Sequence, residues 1–310
     1  MEIREATAQD APSVVELLAT AMGQPATSQF RRLLQWKHEE NPFGRSLQWV
    51  MIGGGDIVGY RAFMRWEFVG LGRTWRAVRA VDTATHPDHQ GRGIFKALTL
   101  HALDVARDDG VDFVFNTPNE QSRPGYLKMG WQVVGALRPW LRPAGVRSLP
   151  AIVGARAPAG HWGEPTDVGQ RADEALTAGV APAIDGPLAT NRKVDYLRWR
   201  YDADLLGYRV LALDDHPDSR CAFRLRRRGA AIEATIGDII ATNGAARRAL
   251  LRQVLRRSGA DYLLVLDGAW QDGLVAVPGP APILTWRSLC ASGPPPLGEW
   301  ALTMGDIELF

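Results

Sequence analysis

The stretch Thr85–Thr99, THPDHQGRGIFKALT, decides how the rest of the chain is read. The residues leading into it, RTWRAVRAVDTAT (Arg73–Thr85), predict a strand. From Gly93 to Asp109 apolar side chains recur at helical spacing, and Gly110 stops the pattern. Two glycines flank an arginine in between. The first amides of a helix lack intrahelical acceptors, and the helix dipole adds positive charge there. A strand that passes through glycines into a helix N-terminus therefore makes an anion site. Gly91 and Gly93 keep side chains out of the approach, and Arg92 and Lys96 add charge. The P-loop pattern is absent, and the dinucleotide pattern G-x-G-x-x-G fails at Lys96.

Composition narrows the ligand. The chain has 310 residues, enough for two domains, and its 46% apolar and 23% charged content is that of a globular protein. With 36 basic against 34 acidic residues, a dedicated nucleic-acid binder is disfavoured and only a local basic pocket remains. Cys221 and Cys290 lie far apart with no histidine cluster, which suggests neither a disulfide framework nor a metal site. No run of eighteen apolar residues occurs, and the N-terminus carries charges instead of a secretory pattern. The expectation is a cytoplasmic protein without a membrane partner.

Working outward, Met1–Ala6 reads as an edge strand. Helices are expected after Asp10 (with Val14, Val15, Leu17, Leu18 and Met22 as its stripe) and from Ser28 to Glu40. Two strand-like runs meet at Gly53–Asp56, a hairpin signal. VDFVFN (Val111–Asn116) predicts a buried strand, Arg123–Met129 a short helix, and WQVVGALRPWLR a last strand kinked at Pro139. The residues 143–179 are rich in Ala, Gly and Pro and read as a linker. Beyond them the chain echoes itself: LLQWKHEENPF (Leu33–Phe43) against YLRWRYDADL (Tyr196–Leu205), and DDGVDFVF (Asp108–Phe115) against RSGADYLLVL (Arg257–Leu266). Two echoes in the same order suggest a duplicated domain, with chance as the plainer alternative.

Gln90-Gly91-Arg92-Gly93-Ile94-Phe95 fits Q/R-x-x-G-x-G/A, and NEQSRPGYLKMGW (Asn119–Trp131) fits N-x-x-A-x-x-L-Y-x-K-L-G-F. In these two segments the chain resembles the GNAT superfamily of acyl-CoA-dependent N-acetyltransferases. The resemblance covers residues 1–142. Departures are Phe95 where the family has Gly or Ala, Ser122 for Ala, and Gly125 and Met129 for Leu. Phe95 either packs sideways or blocks the cofactor site.

The resemblance implies an α+β fold with two GNAT-like domains, each a mixed, mostly antiparallel sheet flanked by helices. It implies acetyl-CoA as cosubstrate, no metal, and transfer of acetyl to a small-molecule amine by direct attack in a ternary complex. Cofactor contacts are then expected from Thr83, Ala84, Thr85, Gln90, Gly91, Arg92, Gly93, Ile94, Phe95, Asn119 and Tyr126. Backbone donors at Thr83–Thr85 would meet the negative charge developing on the acyl oxygen, and Tyr126 would be the acid for the departing thiolate. Asp82 is expected to act as base or to anchor a substrate ammonium, against a carboxylate satisfied by backbone at a bulge. Glu67 is a second candidate base and Glu120 a distant one. His86 and His89 read as loop residues. Trp36, Trp49, Trp66 and Trp75 read chiefly as core, with an aromatic acceptor pocket as the alternative.

In the residues 180–310 the counterpart of the glycine turn is IGDIIATNGAARRALLRQVL (Ile236–Leu255), which lacks the motif. A degenerate domain without cofactor is expected there. Arg224 and Arg226–Arg228 read as a solvated strand edge. The competing functional reading is a catalytically silent acyl-CoA-binding or interaction protein, and a homodimer is left open.

Overall fold

A computed structural model describes residues 1–23, 25–155, 158–266, 272–290 and 293–308. The first half runs β1 (Glu2–Glu5), α1 (Ala11–Met22), α2 (Ser28–His38), β2 (Leu47–Gly53), β3 (Asp56–Gly70), β4 (Arg73–Thr85), α3 (Ile94–Asp108), β5 (Phe113–Asn116), α4 (Arg123–Lys128), β6 (Gln132–Ala136) and β7 (Trp140–Pro143). Short pieces follow: α5 (Leu149–Gly154), α6 (Ala172–Ala175), β8 (Ala189–Thr190), α7 (Val194–Arg200) and α8 (Ala203–Leu206). The second half then runs β9 (Arg209–Leu213), β10 (His216–Arg228), β11 (Ala231–Ile240), α9 (Gly244–Ser258), β12 (Tyr262–Val265), β13 (Val275–Ala276), β14 (Ile283–Ser288) and α10 (Met304–Ile307).

These strands form two sheets, so the chain is α+β with mixed, mostly antiparallel sheets. The first has the order β1-β2-β3-β4-β5-β14-β6, with β8 added to β3; the second has the order β13-β7-β12-β11-β10-β9. In each, one parallel pair joins the strands either side of a long helix, β4 with β5 across α3 and β11 with β12 across α9. In each, an antiparallel bulge sits on the strand before that helix. Asp82 is the extra residue opposite Arg61–Ala62, and Gly237 is the extra residue opposite Ala222–Phe223.

The sheets exchange strands. β14, from the second half, fills the gap between β5 and β6. β7, from the first half, lies between β12 and β13. The expected single strand with a kink at Pro139 is thus two strands in two sheets, because the chain crosses over at that proline. Neither sheet follows the expected ranges 1–142 and 180–310, because β14 joins the first sheet and β7 the second.

Trp36, Trp49, Trp66 and Trp75 are all buried, which fits their reading as core. The basic run on β10 departs from its reading. Arg224 is fully buried against Glu308, and Arg226 pairs with Glu233 and Glu308. Alternate residues of β10 face the space where the C-terminal segment inserts, so only Arg227 of the run is exposed. Cys221 is buried and Cys290 exposed. No helix among the described residues is long and apolar enough to cross a membrane.

Candidate active site

The glycine turn lies open. Gly91 and Gly93 adopt φ of 74° and 76°, a region that costs glycine nothing. A Cβ built at either would meet nothing within 4 Å, so both glycines border free space. Gly93 occupies the N-cap of α3 in a left-handed conformation and supplies no side-chain cap. The first amides of α3 are thereby left for an external acceptor. Arg92 is exposed, and its Nη2 donates to the Asp88 carbonyl at 3.2 Å. Ile94 points the other way, into the core under α3. Gln90 ends the short turn at Pro87–His89, which His86 caps through its Nδ1. His86 thus serves the loop, whereas the His89 Nδ1 is buried without a hydrogen-bond partner among the described residues.

Beside the turn the first sheet opens. β5 pairs with β4 only at Ala77–Arg79, whereas β4 continues along β3 to Thr85. From Ala80 on, the β4 edge facing β5 has no strand partner among the described residues. Thr83, Ala84 and Thr85 lie on this free edge, beside the start of the glycine turn.

Asn119 begins the loop that leads into α4. Its Oδ1 accepts from the Ser122 amide and hydroxyl, both at 2.8 Å, so this end of the carboxamide is structural. Ser122, in the place of a small alanine, supplies that second bond. Glu120 is exposed in the same loop. Tyr126 is buried, and its Oη accepts a hydrogen bond of 2.7 Å from Arg61 Nη1. The phenol proton remains available for donation.

Phe95 does not obstruct the turn. Its ring stands edge-on to Tyr126 at 5.3 Å between centroids. A Cβ built at Gly125 falls 3.0 Å from Phe95 Cε1. The two departures from the family pattern, large at 95 and small at 125, are therefore one exchange of volume across the α3–α4 contact.

Asp82 is placed differently from its expected role. It has a φ of 38° at the bulge, a strained value for a side-chain-bearing residue. Both its oxygens accept from Lys37 Nζ at 2.9 Å, and Oδ2 lies 2.9 Å from His38 Nε2. His38 Nδ1 is 2.9 Å from Ser46 Oγ. A carboxylate only accepts, so the His38 Nε2 facing Asp82 carries a proton. Burial by itself would raise the Asp82 pKa; the Lys37 ammonium and then His38 overcome it and hold the carboxylate well below its ordinary range. So low a pKa makes a weak base, and two partners already neutralise the charge. Asp82 thus offers neither a free base nor an open ammonium anchor. Glu67 is also engaged, by Asn191 Nδ2 at 2.6 Å and Lys193 Nζ at 2.8 Å.

Four residues of this region went unread in the sequence: Lys37, His38, Arg61 and His161. Arg61 left a signal, a lone charge among continuously buried β3 residues. His161 left none. It comes from the irregular connection, and its carbonyl is held by Arg224 Nη1 at 3.1 Å. Its buried Nε2 has no partner. Burial, then the nearby Lys37, Arg224 and Arg226 cations, lower its pKa to about 4. Among the described residues no group of His, Cys, Asp and Glu is arranged to hold a metal ion.

In the second sheet the matching helix start is closed. Asn243 is the N-cap of α9, and its Oδ1 accepts from the Ala246 amide at 2.9 Å. The side chain that replaces the glycine motif occupies the donor that α3 leaves open.

Comparison with known proteins agrees with this geometry. The family described as Acetyltransferase (GNAT) domain matches residues 2–134. The N-alpha-acetyltransferase RimI of Mycobacterium tuberculosis is 37% identical over 93 residues, which cover 30% of this chain and 56% of that protein. The chain therefore spans little more than half the length of this curated relative. Among solved structures, a conserved protein of unknown function from Enterococcus faecalis V583 superposes with a TM-score of 0.65 at 11% identity, covering 93% of this chain and 72% of that one. GCN5-related N-acetyltransferases from Anabaena variabilis and Kribbella flavida each give 0.61, at 13% and 14% identity, covering 93% of this chain and 73% and 71% of theirs. These likenesses show that both sheets share a known fold. Residues 2–134, which carry the open glycine turn, are thus similar to a GNAT acetyltransferase domain.

Proposed function

We propose that the protein is an acetyl-CoA-dependent N-acetyltransferase that acylates the amine of a small molecule by direct attack in a ternary complex. The observation that carries this reading is the uncapped N-terminus of α3 beside the free edge of β4. The open space at Gly91 and Gly93 fits a pyrophosphate, which the amides of α3 would receive with Arg92 close by. When bound, acetyl-CoA supplies an activated acyl thioester.

The chain's own residues do the rest. The free edge of β4 at Thr83–Thr85 offers backbone groups to an extended chain lying along it and to charge developing on the acyl oxygen. Tyr126 keeps a proton for the departing sulfur. Lys37, His38 and Asp82 form a neutralised cluster at the bulge and hold β4 in its strained conformation, so that its edge stays parted from β5. In this reading the second half bounds the acceptor side, where Trp199 packs on α2 and His161 lies near enough to Lys37 to feel its charge. A site bounded in this way would favour a small acceptor. The capped α9 supports a second domain that derives from a duplication and holds no cofactor.

Calorimetry with acetyl-CoA, followed by thiol release against a panel of amines that includes peptide N-termini, tests the reading. Binding to the wild-type chain and its loss in Gly93→Asp are expected, because the new carboxylate would face the phosphates. Equal affinity in both proteins would refute the site. Binding without turnover of any amine would leave the silent acyl-CoA-binding alternative.

A further inference from the structure

Arg61 is the most anomalous charge near the open cleft. It lies in the middle of β3, on the face toward α3 and α4, and is 0% exposed. No carboxylate lies within ion-pair distance of it among the described residues, and its Nε and Nη2 have no hydrogen-bond partner. A hydrogen bond runs from Nη1 to Tyr126 Oη, 2.7 Å. Three rings surround the guanidinium: Phe63 at 4.9 Å, Tyr126 at 5.3 Å and Phe95 at 5.7 Å from the central carbon to each centroid. Ring faces offset part of the cost of burying a cation, but two unsatisfied donors remain. Such a charge is expensive for the fold, and among the described residues its one hydrogen bond goes to a single phenol oxygen.

We propose that Arg61 is a positioning residue for acid catalysis, holding the Tyr126 hydroxyl and stabilising the phenolate that Tyr126 becomes. The proposal rests on the transferase reading. As the carbon–sulfur bond breaks, its electron pair goes to sulfur and the Tyr126 proton follows. The phenolate oxygen then carries a full charge, and the hydrogen bond from Arg61 becomes charge-assisted at both ends. The proton lost by the acceptor amine restores the phenol through solvent. Arg61 strengthens its contact only as the phenolate forms, so it acts on the chemical step and not on ground-state binding. Phe95 gains a role in the same arrangement. It covers Arg61 and Tyr126 together, and a drier environment strengthens the pairing between them.

The test is a double-mutant cycle of Arg61→Met and Tyr126→Phe, with Arg61→Lys as the conservative variant. Arg61→Met is expected to lower kcat about ten- to a hundredfold with the KM for acetyl-CoA within about twofold of wild type. Arg61→Lys is expected to recover part of the loss and, because it keeps a cation in place, to fold if Arg61→Met does not. In the Tyr126→Phe background, Arg61→Met is expected to cost nothing further. Equal losses in both backgrounds, a change confined to KM, or no advantage of Lys over Met would overturn the proposal. The contact is also read apart from turnover. With 15N-labelled arginine, the Arg61 guanidinium is expected to show slowly exchanging protons whose resonances move in Tyr126→Phe, and their absence would likewise overturn it. If those protons are seen but the wild-type chain acylates no amine, the transferase reading has failed, and the catalytic role of Arg61 with it, while the contact itself stands.

Discussion

The indole of Trp36 stacks on that of Trp199 at 4.5 Å between centroids, and each indole N–H donates to the other residue's backbone carbonyl at 2.9 Å. These are the two tryptophans that the internal echo aligns, so the halves meet through equivalent residues in a reciprocal contact. Trp36 is followed on α2 by Lys37 and His38, which bind Asp82. The contact between halves therefore braces the cluster at the bulge. Trp199→Phe keeps a ring but leaves the Trp36 carbonyl without its donor, and a loss of about 1–3 kcal/mol is expected. Trp199→Ala removes the ring as well, and about 3–5 kcal/mol is expected. Urea denaturation measures both, and losses below 0.5 kcal/mol would show that α2 is held by other contacts.

Phe95 and Gly125 share one volume. Gly125→Leu is expected to destabilise the chain by about 1–3 kcal/mol, because the Phe95 ring must leave its place. Phe95→Ala opens a gap against Tyr126 and should cost about 1–3 kcal/mol at this half-buried position. The double variant returns the pair to the family pattern and is expected to be more stable than either single change predicts. Thermal unfolding of the four proteins decides the matter, and strict additivity would mean that the two residues are independent.

The exchange of β14 and β7 makes the halves mutually dependent. A fragment ending at residue 142 would leave β5 and β6 without the strand that joins them. It would also lose the stacking of Phe113 on Trp286, whose centroids lie 3.8 Å apart. Such a fragment is expected to be aggregated or to lack near-ultraviolet ellipticity, whereas the whole chain unfolds in one transition. Independent folding of residues 1–142 to a native-like spectrum would contradict this.

What the sequence disclosed follows the range of the interactions involved. The glycine turn and the helix after it are local, and they stand where spacing put them. The roles of Asp82 and of the β10 arginines depend on residues distant in sequence. Lys37 and His38 reach Asp82 from α2, and Glu308 reaches Arg224 from near the C-terminus, so local pattern could not show that these charges were already paired. Strand exchange escaped for a similar reason. The run WQVVGALRPWLR reads as a strand without naming its sheet. Phe95 left two readings, sideways packing or a blocked site, and Gly125, noted separately, proved to be its complement in space.

Asp82→Asn separates charge from backbone conformation. Asparagine tolerates the positive φ at the bulge, so the strand path is kept. Lys37 would lose the carboxylate it binds in a buried setting, and a loss of about 3–5 kcal/mol is expected. Asp82→Asn with Lys37→Met removes both charges and is expected to recover part of that loss. Denaturation midpoints test this, and a stable single variant would show that the pair is not structurally important.

His161 sets an acid-side limit on stability. Its folded pKa of about 4 lies below the ordinary value of 6.5. As pH falls from 6.5 toward 4, the unfolded chain takes up a proton that the folded chain refuses, so stability drops through that window and levels below it. The depressed carboxylates Asp82 and Glu308 add their own losses only at lower pH, once the unfolded chain begins to protonate them. His161→Gln fills similar space without titrating. The difference in denaturation midpoint between wild type and His161→Gln is expected to shift against wild type when pH goes from 7 to 5. A difference that is the same at both values would mean that His161 is free to protonate in the folded protein.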